Sequence, residues 1–208
     1  MELETVGTKF PGFLYRKQPR NVYWETTISC DLACQHCRAS AIPHRDPGEL
    51  TTEQGKALMR SVQELGSMLV LTGGDPLKRP DIAELIEYGR SLPIHVSITP
   101  STTPLLQQET VERFHELGVS AMGVSLDGPT AEIHDAFRNV PGTFDYSQRA
   151  LQWAREFHIP VQVNTTITAQ TLPHVQAMYE LLRDQHAPPV RRWSLFLLVP
   201  VGRGSELH

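Results

Sequence analysis

Cysteine is scarce in this sequence: Cys30, Cys34 and Cys37 are the only three, and none follows Cys37. That excludes a disulfide framework, which spreads an even number of cysteines along a chain. Long apolar runs are missing as well. Nothing approaches the roughly 18 residues that cross a bilayer, and the acidic start Met1-Glu2-Leu3-Glu4 lacks the apolar stretch of a secretory signal. A cytoplasmic, reducing setting without membrane contact is expected. Nor is there a basic excess: 19 Lys and Arg stand against 23 Asp and Glu, a formal charge of −4. This balance speaks against holding nucleic acid on a basic face. Low-complexity tracts, charge blocks and repeats with a residue signature are also lacking. The 208 residues suffice for one domain with a single core.

What the sequence does contain is an alternation of short β-rich runs and amphipathic segments. Strands are predicted at residues 22–28, 68–71, 94–99, 121–126, 161–167 and 193–199. Between them, a capping box of Thr51 with Gln54 starts a helix that buries Leu58, Val62 and Leu65. Asp81 and Glu84 can cap a second, which turns Ile82, Leu85 and Ile86 inward. Pro104 suits the first position of a third and Gly118 its end. Two more are predicted over residues 144–157 and 173–183. Six strands alternating with five helices imply an α/β fold with a parallel sheet. Periodicity does not separate a partial barrel from an open doubly wound sheet. In both, ligands bind at the carboxyl ends of the strands.

The strand ends are where the chemistry concentrates. After the first comes Cys30-Asp31-Leu32-Ala33-Cys34-Gln35-His36-Cys37. Three thiols on a short loop can converge on one metal centre. A structural zinc site or an ordinary four-iron cluster takes four protein ligands, so three leave a position open. The bland alternatives are buried small hydrophobes and a Cys3His zinc site using His36 or His44. After the second strand, Gly73-Gly74-Asp75-Pro76 reads as a turn, or as backbone able to approach a cationic amine closely. Thr99 and Ser101 could line a cavity after the third, with Thr102 and Thr103 as helix caps. After the fourth, alternation points Ser125 and Asp127 to one side. Asp127 also suits turn initiation, and Arg138 a solvated surface. Asn164 is a polar residue in an apolar strand, so it pairs internally or meets ligand.

CxxxCxxC after the first strand of a βα-repeat chain resembles the radical S-adenosylmethionine (SAM) superfamily. The resemblance implies a partial (β/α)6 TIM-like barrel. It implies a [4Fe-4S] cluster on Cys30, Cys34 and Cys37, with SAM on the fourth iron. Reductive cleavage of SAM would give a 5′-deoxyadenosyl radical that abstracts hydrogen from substrate. Gly73-Gly74-Asp75-Pro76 resembles the superfamily's GGEP motif, which holds the SAM amino group, with Asp75 in place of Glu. His36 takes a position near adenine. Ser125, Asp127 and Arg138 fall in a stretch resembling the SAM-binding region of haem- and peptide-maturing members, and Asn164 takes a ribose-contacting position. Residues 199–204 (VPVGRG) resemble the ending of the same branch, whose sixth strand approaches adenine. The implied partners are a small-molecule, tetrapyrrole-like or peptide substrate and an electron donor such as flavodoxin or ferredoxin. Residues 1–18 read as an extension and 19–208 as the core domain, cut short before a final helix and lacking the cysteine-rich SPASM domain of that branch. The rival expectation is a catalytically inactive metal- or Fe-S-binding fragment or interaction protein.

Overall fold

The computed structural model describes residues 18–207, so most of the expected N-terminal extension lies outside it. Six strands form one parallel sheet: β1 (Asn21–Glu25), β2 (Met68–Thr72), β3 (Val96–Ile98), β4 (Ala121–Ser125), β5 (Val161–Ile167) and β6 (Val190–Leu197). Their order in space is their order in sequence. This settles what periodicity left open. A doubly wound sheet reverses direction at a switch point, whereas a barrel adds each strand beside the last. The sheet is therefore a half-barrel, with β1 and β6 as its two edges.

Helices α1 (Thr52–Glu64), α2 (Ile82–Ser91), α3 (Gln108–Glu116), α4 (Ala131–Arg138), α5 (Thr143–Glu156) and α6 (Val175–His186) connect the strands. The main core lies between them and the outer sheet face. Leu69, Leu71, Val96, Ile98, Met122, Val124 and Val163 meet Met59, Leu85, Phe114, Leu151 and Met178 there, all buried. On the concave face the strands present polar residues toward their carboxyl ends, such as Thr72 and Ser125. In β5, Val161, Val163 and Thr165 are buried, while Gln162, Asn164 and Thr166 alternate with them and stay half-buried.

Several boundaries move from their sequence-based positions. α1 starts with the anticipated capping box of Thr51 and Gln54. Asp81 occupies the N-cap position of α2 but makes no capping bond; it binds Arg79 and Thr52 instead. α3 begins at Gln108 rather than Pro104, because Thr102 and Thr103 are buried and engaged elsewhere and Leu106 plugs the core. β1 ends at Glu25, since Thr27 and Ile28 bend away to donate to the Glu49 carboxylate at 2.6 and 3.0 Å. There are six helices among the described residues, not five: the short α4 interrupts the connection between β4 and α5. Beyond β6 the chain makes a 3-10 turn, Gly202–Glu206. The outer face of β6 leaves Leu195 and Leu197 exposed. Among the described residues, no helix is long and apolar enough to cross a membrane.

Candidate metal centre

The strand ends open into a cleft of about 380 Å³ bordered by Cys30, Cys34, Cys37, Gly73, Gly74 and Ser125. Each of these arrives there for a local reason. The cysteine loop leaves β1 and is tied back at both ends, with Cys30 N–H donating to the Ile42 carbonyl at 2.8 Å and Ile42 N–H to Ile28. In its middle, Gln35 donates from backbone and side chain to the carbonyls of Phe137 and Ala136, at the C-terminal end of α4. His36 stacks on Phe137 with ring centroids 4.5 Å apart and planes within 7°. The helix that sequence patterning misses is thus the platform for the loop.

All three thiols are free. Leu32 N–H donates to Cys30 Sγ and Ala41 N–H to Cys37 Sγ, each at 3.4 Å. Arg138 Nη1 donates to Cys34 Sγ at 3.6 Å. Burial pushes the Cys30 thiol above its ordinary value, against the pull of its hydrogen bonds to Ser101 and Leu32. Among the described residues, no three thiol, imidazole or carboxylate groups gather around a single ion. The thiols border the cleft. Among the described residues His36 does not gather with the thiols into a Cys3His set. Burial and the nearby Arg138 lower its pKa to about 4, and its Nδ1 is buried without a partner among the described residues.

Opposite the thiols, Gly73 has φ of +139°, and a β-carbon there would overlap the Thr27 carbonyl oxygen. One on Gly74 would overlap those of Ser29 and Ile28. Only glycine lets β2 end this close to the start of the cysteine loop. Asp75 lies behind this turn, fully buried, and is not among the residues bordering the cleft. Its carboxylate accepts from Leu77 N–H, Ser101 N–H and Thr103 Oγ1 at 3.1–3.3 Å. Ser101, lining the cleft as anticipated, lies 3.4 Å from Cys30 Sγ and donates to the Gly74 carbonyl.

Burial raises Asp75 from 3.8 to about 6, against its three hydrogen bonds. The sign follows from linkage. The folded chain binds this proton more tightly than the unfolded one, so the charged form opposes folding above pH 6 and that opposition fades as pH falls from about 6 to 3.8. Urea unfolding of the metal-free chain across this range should show Asp75→Asn losing more stability, or gaining less, than the native chain as pH falls from about 6 to 3.8. Equal slopes would mean that Asp75 titrates normally.

Ser125 borders the cleft as expected, but Asp127 does not join it. The Asp127 carboxylate is buried in an ion pair with Arg138 and accepts from Thr166 N–H at 2.6 Å. Arg138 is neither solvated nor lone: it lies between Asp127 and Cys34, with Nε buried and unpartnered among the described residues. Burial pushes the Asp127 carboxyl up, but Arg138 pulls it below the usual carboxylate range. His134 Nδ1 accepts from Asp127 N–H, and burial beside Arg138 lowers this imidazole to about 4, so it is neutral at pH 7. Asn164 lies on the concave face and accepts from Gln162 at 2.8 Å; Thr166, two residues on, is the β5 side chain bordering the cleft. The roles of Glu49, and of Arg203 within its VPVGRG stretch, escape motif reading because each acts on distant backbone. Glu49 pins the residues just before Cys30 and Arg203 pins the cysteine loop itself.

A parallel half-barrel with three uncommitted thiols on its first strand-end loop and a two-glycine turn on its second belongs to the cluster-binding barrels. Residues 24–182 match the profile of the Radical SAM superfamily, and the chain belongs to that superfamily. It is 41% identical over 189 residues to an AdoMet-dependent heme synthase of Oleidesulfovibrio alaskensis, covering 90% of this chain and 48% of that protein. It is 34% identical over 187 residues to mycofactocin maturase MftC of Mycobacterium tuberculosis, covering 88% of this chain and 46% of that one. The chain spans about half the length of these relatives. The fold matches Streptococcus suis SuiB, solved bound to S-adenosylmethionine, with a TM-score of 0.78 at 17% identity over 92% of this chain and 43% of that one. Membership implies a [4Fe-4S] cluster and SAM as cofactors.

Proposed function

We propose that this chain is the catalytic core of an iron–sulfur enzyme that reductively cleaves SAM and abstracts hydrogen from a tetrapyrrole-like substrate. The observation carrying this reading is the cleft in which three free thiols face the two-glycine turn and the polar ends of β4 and β5. The residues fit the cofactors. The donor set is three thiols, one short of a closed site. Three buried nitrogens with no partner among the described residues (His36 Nδ1, Arg138 Nε and Arg203 Nη2) belong to side chains bordering the same cleft. Identity to the heme synthase exceeds that to the maturase, which favours a tetrapyrrole over a peptide.

Cys30, Cys34 and Cys37 would hold the cluster. Backbone at Gly73 and Gly74 would receive the methionyl amine, with Asp75 bracing that turn from behind. Ser125 and Arg138 would meet the carboxylate or ribose side, Asn164 the ribose and His36 the adenine. Asp127 holds Arg138 in place through their ion pair. When bound, the cluster and SAM supply the electron and the radical-forming sulfonium cleavage, with a flavodoxin- or ferredoxin-type donor as the electron source. The protein's share is to position both and exclude side reactions.

The test is anaerobic reconstitution with iron and sulfide, then SAM and a chemical reductant. A brown chromophore and release of 5′-deoxyadenosine are expected. Deuterium transfer into that product from a deuterated iron tetrapyrrole would identify the substrate class; transfer only from a peptide would favour the maturase reading. Bound zinc without iron or chromophore would instead support an inactive metal-binding fragment.

A further inference from the structure

The turn after β6 reaches back across the whole chain to the cysteine loop. Arg203 Nε donates to the Cys34 carbonyl at 2.9 Å and Nη1 to the Ala41 carbonyl at 3.0 Å. Arg203 N–H donates to the Cys37 carbonyl at 3.1 Å. One residue thus fixes three carbonyls of the loop that carries the thiols, two of them on cysteines. The approach depends on Gly202, which has φ of +57° and where a β-carbon would overlap the Arg38 and Cys37 carbonyl oxygens. Gly204 is buried against the His36 carbonyl.

We infer that Arg203 is a positioning residue for the cluster, a latch setting both the hold on it and its reduction potential. This rests on the proposed function, in which the three thiols are cluster ligands. The planar guanidinium suits two carbonyls at once, where a lysine ammonium is a single point of charge. Through Ala41 the latch also bears on a sulfur, because Ala41 N–H donates to Cys37 Sγ at 3.4 Å. A donor to a ligating sulfur, and a cation beside the loop, both favour the more negative reduced cluster and raise its potential. Without the Arg203 side chain, residues 34–41 keep their attachments to α4 through Gln35 and the residue-203 N–H bond to Cys37, but lose both guanidinium bonds on the opposite side.

The test compares native, Arg203→Lys and Arg203→Gln chains after anaerobic reconstitution. Arg203→Gln should lose iron to a ferrous chelator at least about tenfold faster, in line with the roughly 10–100-fold cost of outer-shell changes at metal sites. Its cluster potential, followed by electron paramagnetic resonance in a redox titration, should move to more negative values. Arg203→Lys keeps the charge and loses the fork, so it should release iron faster than native with a smaller shift in potential. Thermal unfolding of the metal-free chains separates this from general damage, because a shift in potential at unchanged midpoint is not a folding effect. Native chelation rate and potential in both variants would overturn the inference. A native chain that takes up no cluster would instead overturn the proposed function.

Discussion

Cys34→Ala is expected to abolish the iron–sulfur centre and, with it, formation of 5′-deoxyadenosine from SAM. Cys34 is the middle thiol of the loop, buried, with Arg138 donating to its sulfur and Arg203 and Cys37 N–H to its carbonyl. Alanine keeps the backbone contacts and removes only the sulfur, so the loop retains its path while the donor set falls from three to two. Two protein ligands leave half the irons of a four-iron cluster without a protein bond. The loss should therefore exceed the roughly 10–100-fold that changes outside the ligand shell cost. Iron and sulfide per chain should drop to background, while the far-ultraviolet circular dichroism of the metal-free protein stays native. If Cys34→Ala still binds iron and yields 5′-deoxyadenosine, the ligand assignment is wrong.

That the loop would carry thiols, and at which end of the barrel, is legible without any structure. The three cysteines follow a β-rich run, and strand ends are where parallel α/β folds bind ligands. The strands are legible as short runs rich in β-branched and aliphatic residues, as in Val161, Val163 and Ile167 of β5. α4 is not. It spans eight residues, opens after a Gly-Pro turn, and its buried side chains include His134 and Arg138. An apolar pattern cannot reveal a helix whose buried face is partly ionic. The role of Asp127 is hidden for the same reason. Alternation places it beside Ser125, but the partner that withdraws it from the cleft comes from the helix that was missed. Arg203 lies 169 residues from Cys34, and nothing in a Gly-Arg-Gly turn says which carbonyls it will find. Local pattern thus reports what faces water or core, and contacts between strand-end loops escape it.

The buried pair makes the second large effect. Arg138→Met should destabilise the metal-free chain by about 3–5 kcal/mol at neutral pH, the usual cost of stranding one partner of a buried ion pair. Asp127 is 1% exposed, and without Arg138 its carboxylate keeps only the Thr166 N–H as a hydrogen-bond donor to it. In the native chain the folded-state pKa of Asp127 is depressed. Its stabilising contribution is therefore present above the ordinary carboxylate range and lost as pH falls through the folded value. Arg138→Met inverts this. Burial then acts alone and raises the carboxyl, so the variant should recover stability as the medium is acidified, where the native chain loses it. Urea unfolding of both chains at neutral and mildly acidic pH reads the two slopes directly. The double variant Arg138→Met with Asp127→Asn removes the stranded charge while keeping an acceptor for Thr166, and should regain most of the loss. A single variant as stable as native at neutral pH would mean that water reaches the Asp127 carboxylate. Recovery in the double variant would leave the fold intact and Cys34 Sγ without its guanidinium. That chain would separate what Arg138 does for the fold from what it does for the cluster.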